Sequence, residues 1–267
     1  MIACSGRASH ALATGSHEEA ANACAFQTIW NCVDRARLAC ETAPVLHALL
    51  LDLDGTLVDT PQAIVDVAQG TLAALGLPPA DPQAIKDTIG LPLPVALAQL
   101  IGTGPTGAAE AVEIYRVLWR THVTPRIPGL LYPGVREGLD ELKRADFRLA
   151  VVTGKAQDGA DSTVAAAGLR HVFDVVLGYT SVASPKPAPD IALLALEKLG
   201  VGADAAVIVG DSTHDLEMAQ RAGIRSIAVT YGAQPEPVLR SAAPTWVAHS
   251  FAEVVRIARK LATLGTP

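Results

Sequence analysis

The segment at residues 51–58, with the sequence LDLDGTLV, limits the folds open to this chain more than any other feature. It follows a mostly apolar run, so a short buried strand ends by presenting two carboxylates, Asp52 and Asp54, before Gly55 allows a sharp turn. Residues i and i+2 of a strand point the same way, and reactive groups of open α/β sheets gather beyond the strands' carboxyl ends. Two carboxylates about 4 Å apart repel by roughly 4 kcal/mol at an effective dielectric near 20, so a bound cation is expected. Asp52 can then act as a nucleophile, and Asp54 as a general acid or base.

Three further segments place polar groups after apolar strands or between prolines. Residues 207–211, VIVGD, end in a carboxylate, and Asp215 follows at the start of a helical pattern. Residues 151–155, VVTGK, end in a hydroxyl, a glycine and a lysine, while residues 184–190, SPKPAPD, hold Lys186 between prolines that restrict the backbone. An Asp-x-Asp-Gly sequence alone is equally typical of an ordinary turn, but the four segments together favour a functional site.

Taken in their order along the chain, the four motifs resemble the haloacid dehalogenase superfamily, and specifically its phosphatases. The resemblance covers the chain from about residue 46 to the C-terminus. It implies that Asp52 attacks phosphorus and forms an aspartyl-phosphate. It also implies that Asp54 protonates the leaving alcohol and later activates water.

The same resemblance implies a phosphate pocket and a magnesium site. The positions that match the groups holding the phosphoryl oxygens are Thr153, Gly154 and Lys186. The positions that match the magnesium ligands are Asp52, Asp211 and the backbone carbonyl of Asp54, with Asp215 as a supporting residue. Phosphoryl transfer depends mainly on positioning and charge neutralisation, and Mg²⁺ prefers oxygen ligands while keeping several waters. Lys186 and Mg²⁺ would together offset the charge of the phosphoryl group.

Hydrophobic periodicity predicts an α/β fold with a Rossmann-like parallel sheet and helices on both faces, because strands and helices alternate in the second half of the chain. The predicted strands are residues 48–52, 148–153, 175–178, 206–210 and 226–230, and the predicted core helices are residues 134–145, 159–167, 190–199, 215–222 and 251–264. The stretch between the first strand and the rest shows four helical patterns without a strand, which resembles the family's all-helical cap. The predicted divisions are an N-terminal extension at residues 1–44, the catalytic core at residues 45–59 and 132–267, and the cap at residues 60–131.

The N-terminal extension contains every cysteine of the chain. These residues are Cys4, Cys24, Cys32 and Cys40. Their spacing does not match paired zinc motifs, so packing of small apolar side chains is preferred to a metal or redox site, which stays an alternative. A capping-box pattern at Ser16 and apolar residues at helical spacing predict one amphipathic helix over residues 16–41. A dimer contact, a docking helix and an upstream start are all open interpretations of this extension.

Charge and hydropathy exclude two classes of partner. The 267 residues have a formal net charge of -6, which gives no basic footprint for nucleic acid. No apolar run reaches the length of a membrane span, and the acidic N-terminal region lacks the apolar segment of a signal peptide. We therefore predict a cytoplasmic enzyme whose partner is a small phosphorylated metabolite, and we leave a homodimer open.

The predicted reaction is magnesium-dependent hydrolysis of a small phosphomonoester, with phosphoglycolate as the leading substrate. Asp54 argues against carbon–halogen chemistry, because dehalogenases of this superfamily lack its counterpart. The Gly-Asp pair at residues 210–211 resembles phosphoglycolate-type phosphatases, whereas sugar phosphomutases tend to carry Glu-Asp there. A sugar- or aminosugar-phosphate phosphatase, a sugar phosphomutase and a non-enzymatic binding protein stay as alternatives.

Substrate contacts are expected from the cap, because a lid that closes over the carboxylates can exclude water and complete the site. The candidates are the turn at residues 89–92 and the side chains of Arg116, Arg120 and His122, each of which also suits a plain surface position. Lys155, which follows the Thr-Gly motif, is interpreted as a solvated lysine without a defined role.

Overall fold

A six-stranded parallel sheet forms the centre of the computed structural model, in which residues 47–263 are described. The strands are β1 (Ala48–Leu51), β2 (Arg148–Thr153), β3 (Val175–Gly178), β4 (Ala206–Gly210), β5 (Arg225–Val229) and β6 (Trp246–Ala248), in the spatial order β3-β2-β1-β4-β5-β6. The central strands are apolar and buried, as is typical of parallel sheets with both faces covered. The predicted N-terminal helix and the four cysteines lie outside the described residues.

Helices cover both faces of this sheet. The α-helices of the described residues are α1 (Pro61–Ala74), α2 (Pro82–Asp87), α3 (Leu93–Ile101), α4 (Ala109–Leu118), α5 (Val135–Arg144), α6 (Gln157–Ala166), α7 (Asp190–Leu199), α8 (Thr213–Ala222), α9 (Glu236–Ser241) and α10 (Phe251–Thr263). Successive residues of β1 point to opposite faces, so Leu49 and Leu51 pack in one cluster with α5, α6 and α10, while Ala48 and Leu50 pack in another with α7 and α8. The predicted fold class is confirmed.

The chain between β1 and α5 is helical. Helices α1 to α4 are followed by a π-helical turn, Trp119–Val123, and a 3₁₀ helix, Thr124–Gly129. Isolated bridges join Val58 to Asp54 and to Leu131, so the two ends of this insertion lie side by side. We refer to residues 60–131 as the insertion. Its helical content agrees with the predicted cap, although the domain boundaries stay predictions.

The carboxyl ends of β1, β2 and β4 meet at the centre of the sheet. In the sheet register, Leu51 pairs with Val151 on one side and with Val209 on the other. The strand order reverses at this point, which is where ligands bind in open α/β sheets. The predicted site residues that follow these strands are therefore brought to one edge.

The main differences from the sequence-based prediction lie in short elements. The sequence-based prediction contains neither β6, which has 3 residues, nor α9, which has 6. Both are too short to show a hydrophobic periodicity. Helix α8 begins at Thr213 rather than at residue 215, because Ser212 and Asp215 form a capping box at its start.

None of the helices in the described part of the chain combines the length and apolar character that a membrane crossing needs.

Candidate active site

A buried lysine joins two buried carboxylates at the end of β1. The Lys186 ammonium donates to Asp52 Oδ1 at 2.9 Å and to Asp215 Oδ1 at 2.5 Å. All three side chains are buried. Burial opposes the charged lysine, but the two carboxylates outweigh it, and the pKa of Lys186 is raised above its ordinary value. Lys186 is therefore a fixed positive charge beside Asp52, and its predicted role in holding phosphoryl oxygens stays a prediction.

Asp52 is held by its backbone and by one carboxylate oxygen only. Its N–H donates to the carbonyl of Val209 at 2.9 Å, and among the described residues no group donates to Oδ2. Burial raises the pKa of Asp52 to about 7, and the charge of Asp215 adds to this shift while Lys186 opposes it. An unpartnered oxygen on a buried carboxylate is the arrangement that a nucleophile requires, and the raised pKa shows that more positive charge is needed to keep it ionised.

Asp211 follows β4 and is fixed from two directions. Its Oδ1 accepts from Thr56 Oγ1 at 3.0 Å, and its Oδ2 accepts from the backbone N–H of Ala233 at 2.7 Å. Burial, together with the charges of neighbouring carboxylates, raises the pKa of Asp211 well above its ordinary value. Gly55 makes this packing feasible, because it has a positive φ of 78° and a Cβ at that position would overlap the Asp211 carboxylate.

Three carboxylates could hold a metal ion. One carboxylate oxygen each from Asp52, Asp211 and Asp215 lies within 4.8 Å of the others, and all three residues are buried. Both oxygens of Asp215 are already engaged, since Oδ1 accepts from Lys186 and Oδ2 accepts from Ser212 Oγ at 2.6 Å. Both oxygens of Asp211 also accept one hydrogen bond each, so of the three carboxylates Asp52 alone keeps an oxygen without a donor from the described residues. The supporting role of Asp215 stays a prediction. A hard cation suits this set of oxygen donors and would relieve the carboxylate repulsion.

The side chain of Asp54 lies apart from this cluster, and its two oxygens bind different partners. Thr60 Oγ1 donates to Oδ1 at 2.6 Å, and the Lys155 ammonium lies 3.0 Å from Oδ2. Lys155 also lies over the ring of Trp119, with Nζ 3.9 Å from the ring centroid. Lys155 is therefore not the solvated lysine that the sequence pattern suggested. The metal-binding role of the Asp54 carbonyl stays a prediction.

The Thr-Gly motif after β2 completes the core side of the site. Thr153 is buried, and its Oγ1 accepts from the backbone N–H of Lys155 at 3.3 Å. A Cβ at Gly154 would overlap the backbone carbonyl of Gly90, so only glycine allows this approach. The predicted cap turn at residues 89–92 is thus packed directly on the core beside Thr153.

A cavity of about 200 Å³ opens between the sheet edge and the insertion. The core residues that line it include Asp52, Asp54, Thr153, Gly154 and Lys155. The apolar and aromatic residues of the insertion that line it include Ile64, Ile89, Leu91, Leu93, Leu97, Leu100, Tyr115 and Trp119. Arg116 and Arg120 also line it, as predicted, whereas His122 does not belong to the lining.

Four residues of this site were missed or given no role in the sequence analysis. They are Thr56, Thr60, Trp119 and Lys155. The two threonines lie within the segment that follows the Asp-x-Asp motif, so their closeness in sequence was an available signal. The contact of Trp119 with Lys155 joins the insertion to the core, and no local pattern could indicate it.

Comparison with known proteins places this site in a family. The family model for haloacid dehalogenase-like hydrolases matches residues 49–229. Probable phosphatase IndB of Dickeya dadantii (strain 3937) is 43% identical over 220 residues, which cover 82% of this chain and 96% of that protein. A phosphoglycolate phosphatase of Chromobacterium violaceum is 32% identical over 201 residues, which cover 70% of this chain and 86% of that protein.

Solved structures agree with this assignment at the level of the fold. The crystal structure of a predicted phosphatase from Clostridium acetobutylicum has a TM-score of 0.73 and 24% identity, over 81% of this chain and 99% of that chain. The chain belongs to the haloacid dehalogenase-like hydrolases. The predicted enzyme class, a phosphatase of this type, is confirmed by these matches.

Proposed function

We propose that this enzyme hydrolyses a small phosphomonoester in a magnesium-dependent reaction through an aspartyl-phosphate at Asp52. The observation that supports this most directly is the unpartnered Oδ2 of the buried Asp52, at the cavity and beside the fixed charge of Lys186. Asp52 Oδ2 attacks phosphorus, the bond from phosphorus to the ester oxygen breaks, and Asp54 gives a proton to the leaving alcohol. Asp54 then takes a proton from water, whose oxygen attacks phosphorus and releases phosphate from Asp52.

The other polar groups hold charge and position during these two steps. Lys186 neutralises negative charge at the transferring group, and the Thr153 hydroxyl lies at the same edge as a donor to a phosphoryl oxygen. Asp52 and Asp211 would hold Mg²⁺, assisted by the Asp54 carbonyl. When bound, Mg²⁺ supplies positive charge against the phosphoryl oxygens and the crowded carboxylates.

Phosphoglycolate is the leading substrate in this proposal. A relative that is 32% identical carries the name phosphoglycolate phosphatase, and Arg116 and Arg120 at the cavity offer cations for a second anionic group. A sugar phosphate is the second candidate, because the cavity continues past the carboxylates along the insertion. We further propose a cytoplasmic location, where such metabolites are found, and keep the homodimer as a prediction.

The test is phosphate release from a panel of phosphomonoesters, with and without Mg²⁺. The panel contains phosphoglycolate, hexose and aminosugar phosphates, nucleotides and pyrophosphate, and the control is Asp52→Asn. Magnesium-dependent release that favours one substrate, together with a phosphoryl adduct on the wild-type protein after rapid acid quench, supports the proposal. Release that persists in Asp52→Asn would rule out the covalent step, and conversion of a sugar phosphate to its isomer without release would favour a phosphomutase.

A further inference from the structure

We propose that Lys155 is a positioning residue that fixes the Asp54 carboxyl group for proton transfer, and that Trp119 of the insertion holds Lys155 in place. This inference rests on the proposed function, since it assigns Asp54 the proton transfer to and from the leaving oxygen. The geometry that carries it is a direct chain of contacts from the insertion to Asp54.

Both oxygens of the Asp54 carboxyl group contact polar groups from different parts of the chain. Thr60, at the start of α1, donates to Oδ1 at 2.6 Å, and Lys155, in the loop after β2, lies 3.0 Å from Oδ2. The Lys155 side chain is 17% exposed and that of Asp54 is 10% exposed, so little water competes for this ion pair. With one partner on each oxygen, the plane of the carboxyl group cannot rotate freely, and this plane decides where a proton on either oxygen points.

Lys155 is itself held from the side of the insertion. Its ammonium lies 3.9 Å from the centroid of the Trp119 ring, within the range of a cation–π contact. Trp119 stacks on Tyr115, with ring centroids 5.9 Å apart and an interplanar angle of 13°. Tyr115 is buried in the apolar core that the insertion shares with the sheet. The contacts therefore run from that core through two rings and one ammonium to the carboxyl group.

Two other roles for Lys155 fit the geometry less well. A solvated lysine would extend its ammonium into water, whereas this side chain is largely buried between a carboxylate and an aromatic ring. A ligand of the transferring phosphoryl group would lie beside Asp52, and Lys186 already occupies that position at 2.9 Å. Lys155 thus acts on the proton-transfer residue rather than on the nucleophile.

Positioning of a general acid has a specific kinetic signature, because it changes the rate only for substrates whose leaving group must be protonated. The test uses Lys155→Met in the full chain with Mg²⁺, and measures phosphoenzyme formation in a single turnover. The two substrates are glycerol 2-phosphate, an alkyl ester whose alcohol must be protonated, and p-nitrophenyl phosphate, whose leaving group departs as a stable anion. We expect a fall of about tenfold or more with the alkyl ester, which is part of the 10²–10⁴-fold that general acid catalysis contributes, and little change with the aryl ester. An equal fall on both esters, or no fall on either, would overturn the proposal.

Variants at Trp119 test the same proposal without changing the charge of the site. Trp119→Leu removes the ring beneath the ammonium and should reproduce the selective loss to a smaller degree, whereas Trp119→Phe keeps an aromatic face and should retain most of the wild-type rate. Lys155→Arg keeps the charge and should restore part of the alkyl-ester rate. A uniform loss in Trp119→Leu, or a Lys155→Arg variant no better than Lys155→Met, counts against the proposal.

Two controls separate this proposal from the proposed function. Asp54→Asn should show the selective loss at its largest, and Lys198→Met, an exposed lysine of α7, should leave both rates unchanged. If Asp54→Asn shows the pattern and Lys155→Met does not, the positioning role is wrong and the proposed reaction stands. If the wild-type protein forms no phosphoenzyme with either ester, both proposals fail.

Discussion

The two walls of the cavity hold their charges in different ways. On the core wall, Asp52 is buried and bonded to Lys186, which lies behind the cavity lining together with Asp211, a buried residue that accepts from the backbone. On the insertion wall, apolar side chains dominate, and the charged groups Arg116 and Arg120 lie partly or fully in water. Buried charges cannot be replaced without cost, whereas exposed ones can. The core wall is therefore suited to a fixed reaction, and the insertion wall to variation in the leaving group.

The strongest test of this contrast is Asp52→Asn on the core wall. A carboxamide cannot form the phosphoenzyme, so phosphate release should fall by roughly 10⁴-fold or more, as for other removed nucleophiles. The fold should survive, because the change removes one of three crowded carboxylates while Lys186 keeps its contact with Asp215. Phosphate release and the melting temperature of the metal-free protein measure the two effects. A variant that keeps its activity would contradict the role given to Asp52 on the core wall.

Lys186→Met should lower the free energy of unfolding much more than replacement of an exposed lysine. It leaves the carboxylates of Asp52 and Asp215 buried without their shared cation, and loss of one partner from a buried pair costs about 3–5 kcal/mol. Denaturant unfolding of the metal-free protein measures this change in the free energy of unfolding. The matched control is Lys198→Met, an exposed site where about 0.5 kcal/mol or less is expected. Equal effects at the two lysines would show that the buried ion pairs of Lys186 add nothing to the free energy of unfolding beyond what an exposed lysine adds.

The core wall is also the part of the site that the sequence predicts well. Apolar runs identify β1, β2 and β4, and parallel strands bring their carboxyl ends to one edge, so Asp52, Thr153 and Asp211 meet without further information. Lys186 was predicted from its setting between prolines, and the structure places it between two carboxylates. These contacts follow from local pattern and sheet topology together.

The contacts between the walls could not be predicted in this way. Lys155 has no neighbour in sequence that reveals Asp54 or Trp119 as its partners, because those residues lie in the segment after β1 and in the π-helical turn after α4. Such contacts depend on how the insertion packs on the sheet, which periodicity does not encode. The same limit applies to the choice between Arg116, Arg120 and His122, since helical spacing alone does not tell which of them reaches the cavity.

The carboxylates of the core wall predict a pH dependence of stability in the absence of metal. Asp52 binds its proton more tightly in the folded protein, with a pKa of about 7, than in the unfolded chain, where the ordinary value is 3.8. The stability from this group is fully present below pH 4 and is lost as pH rises toward 7, by an amount on the order of a few kcal/mol. Thermal unfolding between pH 4 and 8 measures this fall. Asp52→Asn and added Mg²⁺ should each flatten the curve, and a wild-type curve that rises over this range would contradict the prediction.

The smallest effect is expected on the insertion wall, where Arg120→Gln should change selectivity rather than stability. Arg120 lines the cavity but is exposed, so its removal should alter the free energy of unfolding by about 0.5 kcal/mol or less. If its charge meets a second anionic group of the substrate, kcat/KM for phosphoglycolate should fall about tenfold relative to glycerol 2-phosphate, the lower end of what one contact discriminates. Arg126→Gln, an exposed arginine of the insertion outside the cavity lining, controls for the general loss of one positive charge. Equal ratios in the two variants would mean that net charge, and not the position of Arg120, sets the preference for an anionic leaving group.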